Sequence, residues 1–95
     1  MKRFMLIHVG FLKPTPEIMA AWGKWFAQVA PQTIENIGLW NGREISQNGS
    51  ADLAMGLDSI TGCTIVSAES IEDAQQLAAS NPFVSSIRIY EMMTH

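Results

Sequence analysis

The last third of the chain constrains the fold more than any other part. Residues 61–68 form a continuous run rich in β-branched side chains, which predicts a strand covered on both faces. Ser70, with an acidic residue three positions later, predicts the start of a short helix that ends near Ser80. The pair Asn81-Pro82 blocks helical continuation, and the alternation over residues 86–93 predicts a final strand.

The first half of the chain repeats this strand and helix order. Residues 2–9 are apolar on both alternating sets, which predicts another strand covered on both faces. Thr15 is suited to cap a helix that begins at Pro16 and that Pro31 ends. An apolar stripe at helical spacing predicts that one face of this helix points into the core. The stripe contains Ile18, Trp22, Trp25, Phe26 and Val29.

The middle of the chain is less regular. Short extended pieces occur around residues 37–40 and 43–46, and Asn41-Gly42 and Asn48-Gly49 interrupt them. We expect the second strand within this stretch. The segment 50–60 is rich in small residues and predicts a loop or an irregular edge.

The element order is therefore βαββαβ, which predicts an α+β fold. Two right-handed βαβ halves form a single antiparallel sheet with both helices on one face, the ferredoxin-like plait. The strands are apolar on both sides, so the face without helices also needs a cover. Hydrophobic residues make up 47% of the chain and charged residues 16%, against a usual charged share of about 25%. We expect a single domain, residues 1–95, that forms a homodimer through the helix-free sheet face, giving a dimeric α/β barrel.

Composition also excludes several classes of function. The formal net charge is −3, and the six Lys and Arg residues are dispersed, which argues against binding to nucleic acid. The apolar run after Lys2 and Arg3 is too short for a signal sequence or a membrane span, so we expect no membrane partner and a cytoplasmic location. A single cysteine, Cys63, leaves no internal disulfide and no Cys/His ligand set, so we expect neither a metal nor another cofactor.

Five residues are the main candidates for a site: His8, Trp40, Arg43, Asn81 and Arg88. His8, near the end of the first predicted strand, has a side chain that can act as an acid or base near physiological pH. The alternative is a hydrogen-bonded structural histidine. Trp40 lies in the turn-rich segment and is free to line an aromatic pocket, whereas the two helical tryptophans are expected in the core. Arg43 and Arg88 are suited to bind a carboxylate group, with solvation or pairing to nearby glutamates as the alternative.

Other side chains are weaker candidates. Asp52 and Asp58 flank the irregular loop and can reach a cleft, although acidic loop residues are usually solvated. Met55, Met92 and Met93 suit an adaptable apolar pocket or interface. Cys63 lies within a strand, where a free cysteine is expected to behave as a small buried hydrophobe. His95 is the C-terminal residue, where poor order is expected.

Over nearly its whole length the chain resembles the YCII-related proteins of the dimeric α/β barrel superfamily. The resemblance rests on the order of MKRFMLIHVG, PTPEIMAAWGKWF, GREISQNG, ITGCTIVSAESIEDAQQLAASNPF and IRIYEM. It implies a homodimer with a cleft between the helix-free sheet face and the loops. Some members are thought to use an Asp immediately before the Pro of this last turn and a His at the start of the first helix. Here Asn81 replaces that Asp, and the first helix has no His; an amide orients or donates a hydrogen bond but does not exchange a proton near neutral pH.

Two functions remain open from the sequence. In the first, the protein is a small cofactor-independent enzyme that acts on an aromatic or lactone-like metabolite. His8 would move a proton, and Arg43 or Arg88 would fix an anionic group. In the second, the protein is a non-catalytic dimer with a small-molecule-binding or accessory role. The expected ligand-binding residues are Trp40, Arg43, Asn81 and Arg88. A haem role would rest on His8 alone.

Overall fold

The computed structural model describes residues 1–94, so His95 lies outside the described part of the chain. Those residues form six strands, two α-helices and one 3-10 turn at Ala30–Gln32. The elements are β1 (Lys2–Val9), α1 (Pro16–Val29), β2 (Thr33–Gly38), β3 (Arg43–Ser46), β4 (Gly49–Asp52), β5 (Ile60–Ala68), α2 (Ile71–Ala79) and β6 (Ser86–Glu91).

Four strands form one antiparallel sheet in the order β2-β5-β1-β6. The two central strands are the apolar runs predicted from the sequence. The two edge strands each follow a helix, because a helical crossover separates β1 from β2 and β5 from β6. An α+β fold with an antiparallel sheet and two helices is therefore confirmed, and it is compatible with the ferredoxin-like plait.

Both helices begin at the predicted caps. The Thr15 hydroxyl accepts a hydrogen bond from the Ile18 amide at 3.2 Å, and Pro16 occupies the first turn of α1. The Ser70 hydroxyl accepts from the Asp73 amide at 3.2 Å and caps α2. Each cap satisfies one of the amides that a helix N-terminus leaves without a partner. At the other end of α1 the chain does not stop at Pro31 but tightens into the 3-10 turn.

The core lies between the sheet and the two helices. Phe4, Leu6 and Val66 are fully buried on the sheet side, and Trp25 is 1% exposed on α1. The Trp25 indole also donates its Nε1–H to the Leu77 carbonyl of α2 at 2.9 Å, so it joins the two helices. Every buried residue of the main cluster is apolar. The cluster contains Phe4, Leu6, Trp25, Val29, Val66, Ala68, Ala74 and Ala78.

The middle of the chain differs from its prediction. The second strand of the sheet begins at Thr33, earlier than the expected region around residues 37–40. The piece at residues 43–46 is a strand, but it pairs with β4 in a separate two-stranded hairpin, which we call the arm. The breaks explain this arrangement, because Asn41 has a positive φ of 54° and Gly49 a φ of 105°, and both turn the chain. All residues of β3 and β4 are exposed.

The sheet face opposite the helices is largely apolar and is covered by no other element of residues 1–94. Its central side chains are shielded by their neighbours, with Cys63 8% and Ile65 9% exposed. Its edge side chains are open, with Ile37 37% and Tyr90 57% exposed. From the strand registers, this face carries Arg3, Met5, Ile7, Val9, Glu35, Ile37, Cys63, Ile65, Ser67, Ser86, Arg88 and Tyr90.

Candidate functional site

A cavity of about 300 Å³ lies between α1 and the sheet, at the end of the sheet where β1 finishes. Helix α1 contributes two aromatic side chains, Trp22 and Phe26, to one wall. The opposite wall consists of residues from β1, β2 and β5. None of the residues that line the cavity is Asp, Glu, Lys or Arg, and the strand registers place the side chains of Ile37 and Cys63 on the helix-free face of the sheet. The lining consists of His8, Trp22, Phe26, Asn36, Ile37, Gly38, Thr61, Gly62, Cys63 and Thr64.

Two glycines open the space beside His8. The registers place Gly38, Gly62 and His8 in one row across β2, β5 and β1. Neither glycine has a side chain to fill the volume under α1, so the sheet backbone forms the floor of the cavity. A Cβ on Gly62 would meet the Ile37 carbonyl oxygen, whereas a Cβ on Gly38 would meet no atom within 4 Å. Gly62 is therefore required by the backbone, and Gly38 leaves room that a side chain could occupy.

His8 is buried, with 6% of its surface exposed. Its Nε2 lies 2.9 Å from the hydroxyl oxygen of Thr64, which is itself fully buried. The Nδ1 atom has no hydrogen-bond partner. If the Thr64 hydroxyl donates to Nε2, then Nδ1 carries the proton; if Nε2 donates to Thr64, then Nδ1 holds a free lone pair. In both tautomers one polar atom of His8 is left for a further partner.

Aromatic rings surround the imidazole edge-on. The ring centroids of His8 and Trp22 lie 5.0 Å apart with an interplanar angle of 89°, and those of His8 and Trp25 lie 5.8 Å apart at 88°. The prediction that the helical tryptophans belong to the core is confirmed for Trp25. Trp22 is only partly buried, and it both packs against the core and lines the cavity.

Burial lowers the pKa of His8 to about 4. Burial among apolar rings removes the ring from solvent and disfavours the imidazolium form, and none of the cavity-lining side chains is a carboxylate that would stabilise it. His8 is therefore neutral at pH 7. Burial also raises the pKa of the Cys63 thiol, with a smaller contribution from the charge of Glu35. The thiol stays protonated at neutral pH and is a poor nucleophile.

The other predicted site residues do not join His8. Trp40 and Arg43 do come together, but they line a second cavity of about 570 Å³ at the base of the arm. Arg88 lies opposite Ile7 in the β1–β6 register and so belongs to the helix-free face of the sheet. Asn81 follows α2, is 5% exposed, and lines neither cavity. Both of its side-chain polar atoms lack a partner, and we have no structural account of this.

The sequence reasoning missed several residues of the His8 cavity. Those residues are Thr64, Asn36, Gly38 and Gly62. Gly62 and Thr64 alternate along β5 on the same side as His8, and this parity was the available signal. Asn36 could not be found, because the second strand was placed too late in the chain.

Comparisons with family models, curated proteins and solved structures found no match to this chain. The resemblance to the YCII-related proteins therefore stays a prediction. Within residues 1–94, no three His, Cys, Asp or Glu side chains come close enough to hold a metal ion. In the same part of the chain no helix has the length and hydropathy needed to cross a membrane.

Proposed function

We propose that the His8 cavity binds a small, uncharged aromatic or lactone-like metabolite and that the protein acts as a non-catalytic binding module. The observation that carries this proposal is a neutral, buried imidazole with an unpartnered nitrogen beside an open cavity with no ionised side chain. A charged ligand would lose its hydration here without gaining an opposite charge. An uncharged ligand loses much less.

The shape of the cavity favours a flat ligand. Its floor is the backbone of Gly38 and Gly62, and its opposite wall carries the rings of Trp22 and Phe26. Aromatic rings gain about 0.5–1.5 kcal/mol from stacked or edge-on contacts beyond the burial of area. A volume of about 300 Å³ is at the lower end for ligand pockets, which corresponds to one or two fused rings.

Two polar groups are suited to orient such a ligand. The Asn36 amide lines the cavity and offers both a donor and an acceptor. The second group is His8 Nδ1, whose lack of a partner leaves about 1–3 kcal/mol of desolvation uncompensated. Nδ1 is covered by its surroundings, so contact with it requires a small shift of the ring or its neighbours, as happens when a ligand tightens the hydrogen bonds of an empty site.

A proton-transfer enzyme is the second candidate, and the unpartnered nitrogen of the neutral imidazole favours it. A pKa of about 4 makes His8 a weak base, and none of the charged residues predicted to fix an anionic substrate lies in this cavity. Arg43 lines the other cavity, and Arg88 lies on the other face of the sheet. For these reasons we place binding before catalysis.

A cavity-filling variant tests the binding proposal. Gly38→Leu would project a side chain into the cavity without meeting an atom of the present structure within 4 Å at its Cβ. Gly23→Leu is the matched control, because Gly23 is exposed on α1 and equally free of neighbours. With coumarin as an uncharged probe, we expect a rise in melting temperature for the wild type and Gly23→Leu but not for Gly38→Leu. The proposal would be refuted if coumarin raised the melting temperature of all three proteins equally. It would also be refuted if the wild type responded equally to coumarin and to coumarin-3-carboxylate.

Catalysis is tested separately with His8→Gln, which keeps a hydrogen-bonding group but removes the titration. If a metabolite screen finds turnover, the enzyme hypothesis expects this variant to lose it while coumarin binding persists. Turnover that survives in His8→Gln would exclude His8 as the proton-transfer group.

We also propose that a second copy of the chain covers the helix-free sheet face. The apolar strip there is open at Ile37 and Tyr90, and a domain this small gains from additional burial. The charges support a two-fold arrangement, because Glu35 lies on one edge strand and Arg88 on the other. A two-fold axis parallel to the strands places β2 of one copy over β6 of the other, with Glu35 two residues along the strand from the level of Arg88.

Sedimentation velocity tests this dimer. We expect a dimer at micromolar concentration, weaker association for Arg88→Glu, and recovery when Arg88→Glu is combined with Glu35→Arg. A wild-type monomer at those concentrations would contradict the proposal. A double variant that associates no more strongly than Arg88→Glu alone would contradict the proposed two-fold orientation.

A further inference from the structure

The second cavity lies at the base of the arm, and the proposed function does not use it. It is enclosed by the segment after β2, the first and last residues of the arm strands, and the loop that leads into β5. Its volume of about 570 Å³ falls within the range of small-molecule pockets. The lining consists of Leu39, Trp40, Gly42, Arg43, Asp52, Leu53, Ala54, Met55, Asp58, Ser59 and Ile60.

The charges of this cavity favour a cation. The Arg43 Nε–H donates to Asp52 Oδ1 at 2.8 Å, so these two opposite charges compensate each other. Asp58, the third charged residue of the lining, takes part in no ion pair within residues 1–94. An anion would therefore face two carboxylates and a guanidinium that is already engaged. A cation would find one uncompensated carboxylate.

The remaining walls favour an apolar body on that cation. The Trp40 side chain is 78% exposed, which is unusual for a large aromatic residue outside an interaction site. An indole face attracts an ammonium group within about 6 Å of its centroid. Leu39, Leu53 and Ile60 are about half exposed and add aliphatic surface beside it.

We propose that the arm cavity is a binding site for an organic ammonium ion with an aromatic or alkyl body, held by Asp58 and Trp40. The two cavities share no lining residue, so this site does not depend on a ligand in the His8 cavity. The arm also gains a role, because its base supplies the Arg43–Asp52 pair that closes one side of the site.

Three probes of similar shape separate charge from apolar contact: phenethylammonium, 2-phenylethanol and 3-phenylpropanoate. Binding is followed through the three indole N–H signals in a ¹H–¹⁵N spectrum, with the Trp40 signal assigned from Trp40→Phe. We expect phenethylammonium to shift the Trp40 signal saturably and to bind about tenfold more tightly than the alcohol, a difference of about 1.4 kcal/mol. The carboxylate should cause no shift.

Variants locate the charge. Asp58→Asn is expected to weaken phenethylammonium binding by about tenfold, since it removes the uncompensated carboxylate but little volume. Glu44→Gln is the matched control, because it removes the same charge from the arm at a residue that does not line the cavity. Gly38→Leu should leave amine binding unchanged, which separates this site from the His8 cavity.

Four outcomes would overturn the proposal. They are equal binding of the ammonium and the alcohol, equal weakening by Asp58→Asn and Glu44→Gln, no shift of the Trp40 signal with any probe, and a Trp40 indole shielded from acrylamide quenching. The last outcome would mean that another chain covers the cavity.

Discussion

The His8 cavity and the arm cavity differ in whether their polar groups are buried or exposed to solvent. The first is framed by core residues, and its imidazole is buried and neutral with a pKa of about 4. The charged groups of the second are an arginine and two aspartates that are exposed to solvent. Burial explains the difference, because removing a charge from water costs more free energy than a hydrogen bond to one uncharged partner restores.

The two cavities also differ in the stability of the elements that surround them. Around His8, the elements are held by the central strands and by the Trp25 bond between the helices. The arm is an isolated two-stranded hairpin whose strand residues are all exposed, and such hairpins are marginally stable on their own. Changes near His8 should therefore alter global stability, whereas changes in the arm should alter local order and binding.

The largest expected difference in stability between the core and the arm region concerns two tryptophans. Trp25 is 1% exposed and Trp40 is 78% exposed. We expect Trp25→Ala to lower the free energy of unfolding by about 3–5 kcal/mol, because it leaves a large cavity in the core. Trp40→Ala should change it by less than about 0.5 kcal/mol. Urea unfolding followed by circular dichroism measures both.

If Trp25→Ala does not fold, Trp25→Phe keeps most of the ring volume but removes the bond to Leu77 and should cost about 1–2 kcal/mol. Similar losses for the alanine variants of Trp25 and Trp40 would contradict the separation of core and arm.

The next largest expected effect on stability concerns the two glycines on the cavity floor. Alanine substitution should change the free energy of unfolding in opposite directions at Gly62 and Gly38. Gly62→Ala should destabilise the protein by about 1–3 kcal/mol, because its methyl group would meet the Ile37 carbonyl. Gly38→Ala should stabilise it by about 0.5–1 kcal/mol, since the methyl group meets nothing and the unfolded chain loses freedom. Denaturant midpoints measured side by side decide this. Two variants that shift in the same direction would contradict the geometry of the floor.

The pKa of His8 predicts how stability depends on pH. The folded-state value of about 4 lies below the value of 6.5 for an unperturbed histidine, so between these pH values the unfolded chain binds more protons. The free energy of unfolding should therefore fall as pH falls from about 6.5 to about 4. Each pH unit corresponds to at most about 1.4 kcal/mol, so about 1–2 kcal/mol should be lost by pH 5.

His8→Gln should flatten the slope of that dependence between pH 6.5 and 5, whatever its own stability. Urea unfolding at four or five pH values provides the measurement. An unchanged slope in the variant would show that other groups cause the loss.

The sequence predicted the fold well where local signals agreed. The caps at Thr15 and Ser70 and the break at Pro82 each depend on neighbouring residues, and they placed the helices and the closing strand correctly. The second strand was misplaced because its polar sequence, TIENIG, gives little period-2 signal at a sheet edge. The arm was hidden for the same reason, since a hairpin without a buried face shows no hydrophobic alternation.

The sites were harder to predict, because they depend on which strands become neighbours. His8 and Thr64 lie far apart in sequence and meet only through the β1–β5 register. Residue type makes Arg43 and Trp40 candidates for a site, but it does not show that they line a different cavity from His8. The sign of the His8 pKa shift likewise depends on the surrounding indoles rather than on the strand sequence.

The smallest predicted effect concerns the Arg43–Asp52 pair of the arm. Its side chains are 66% and 80% exposed, and exposed pairs contribute about 0–1 kcal/mol. Arg43→Met should therefore leave the global free energy of unfolding unchanged within about 0.5 kcal/mol. It should raise hydrogen exchange of the arm amides a few-fold, because local opening of the hairpin loses one restraint. A global loss above about 1 kcal/mol would mean that the arm folds cooperatively with the core, and the two regions would then have to be treated as one unit.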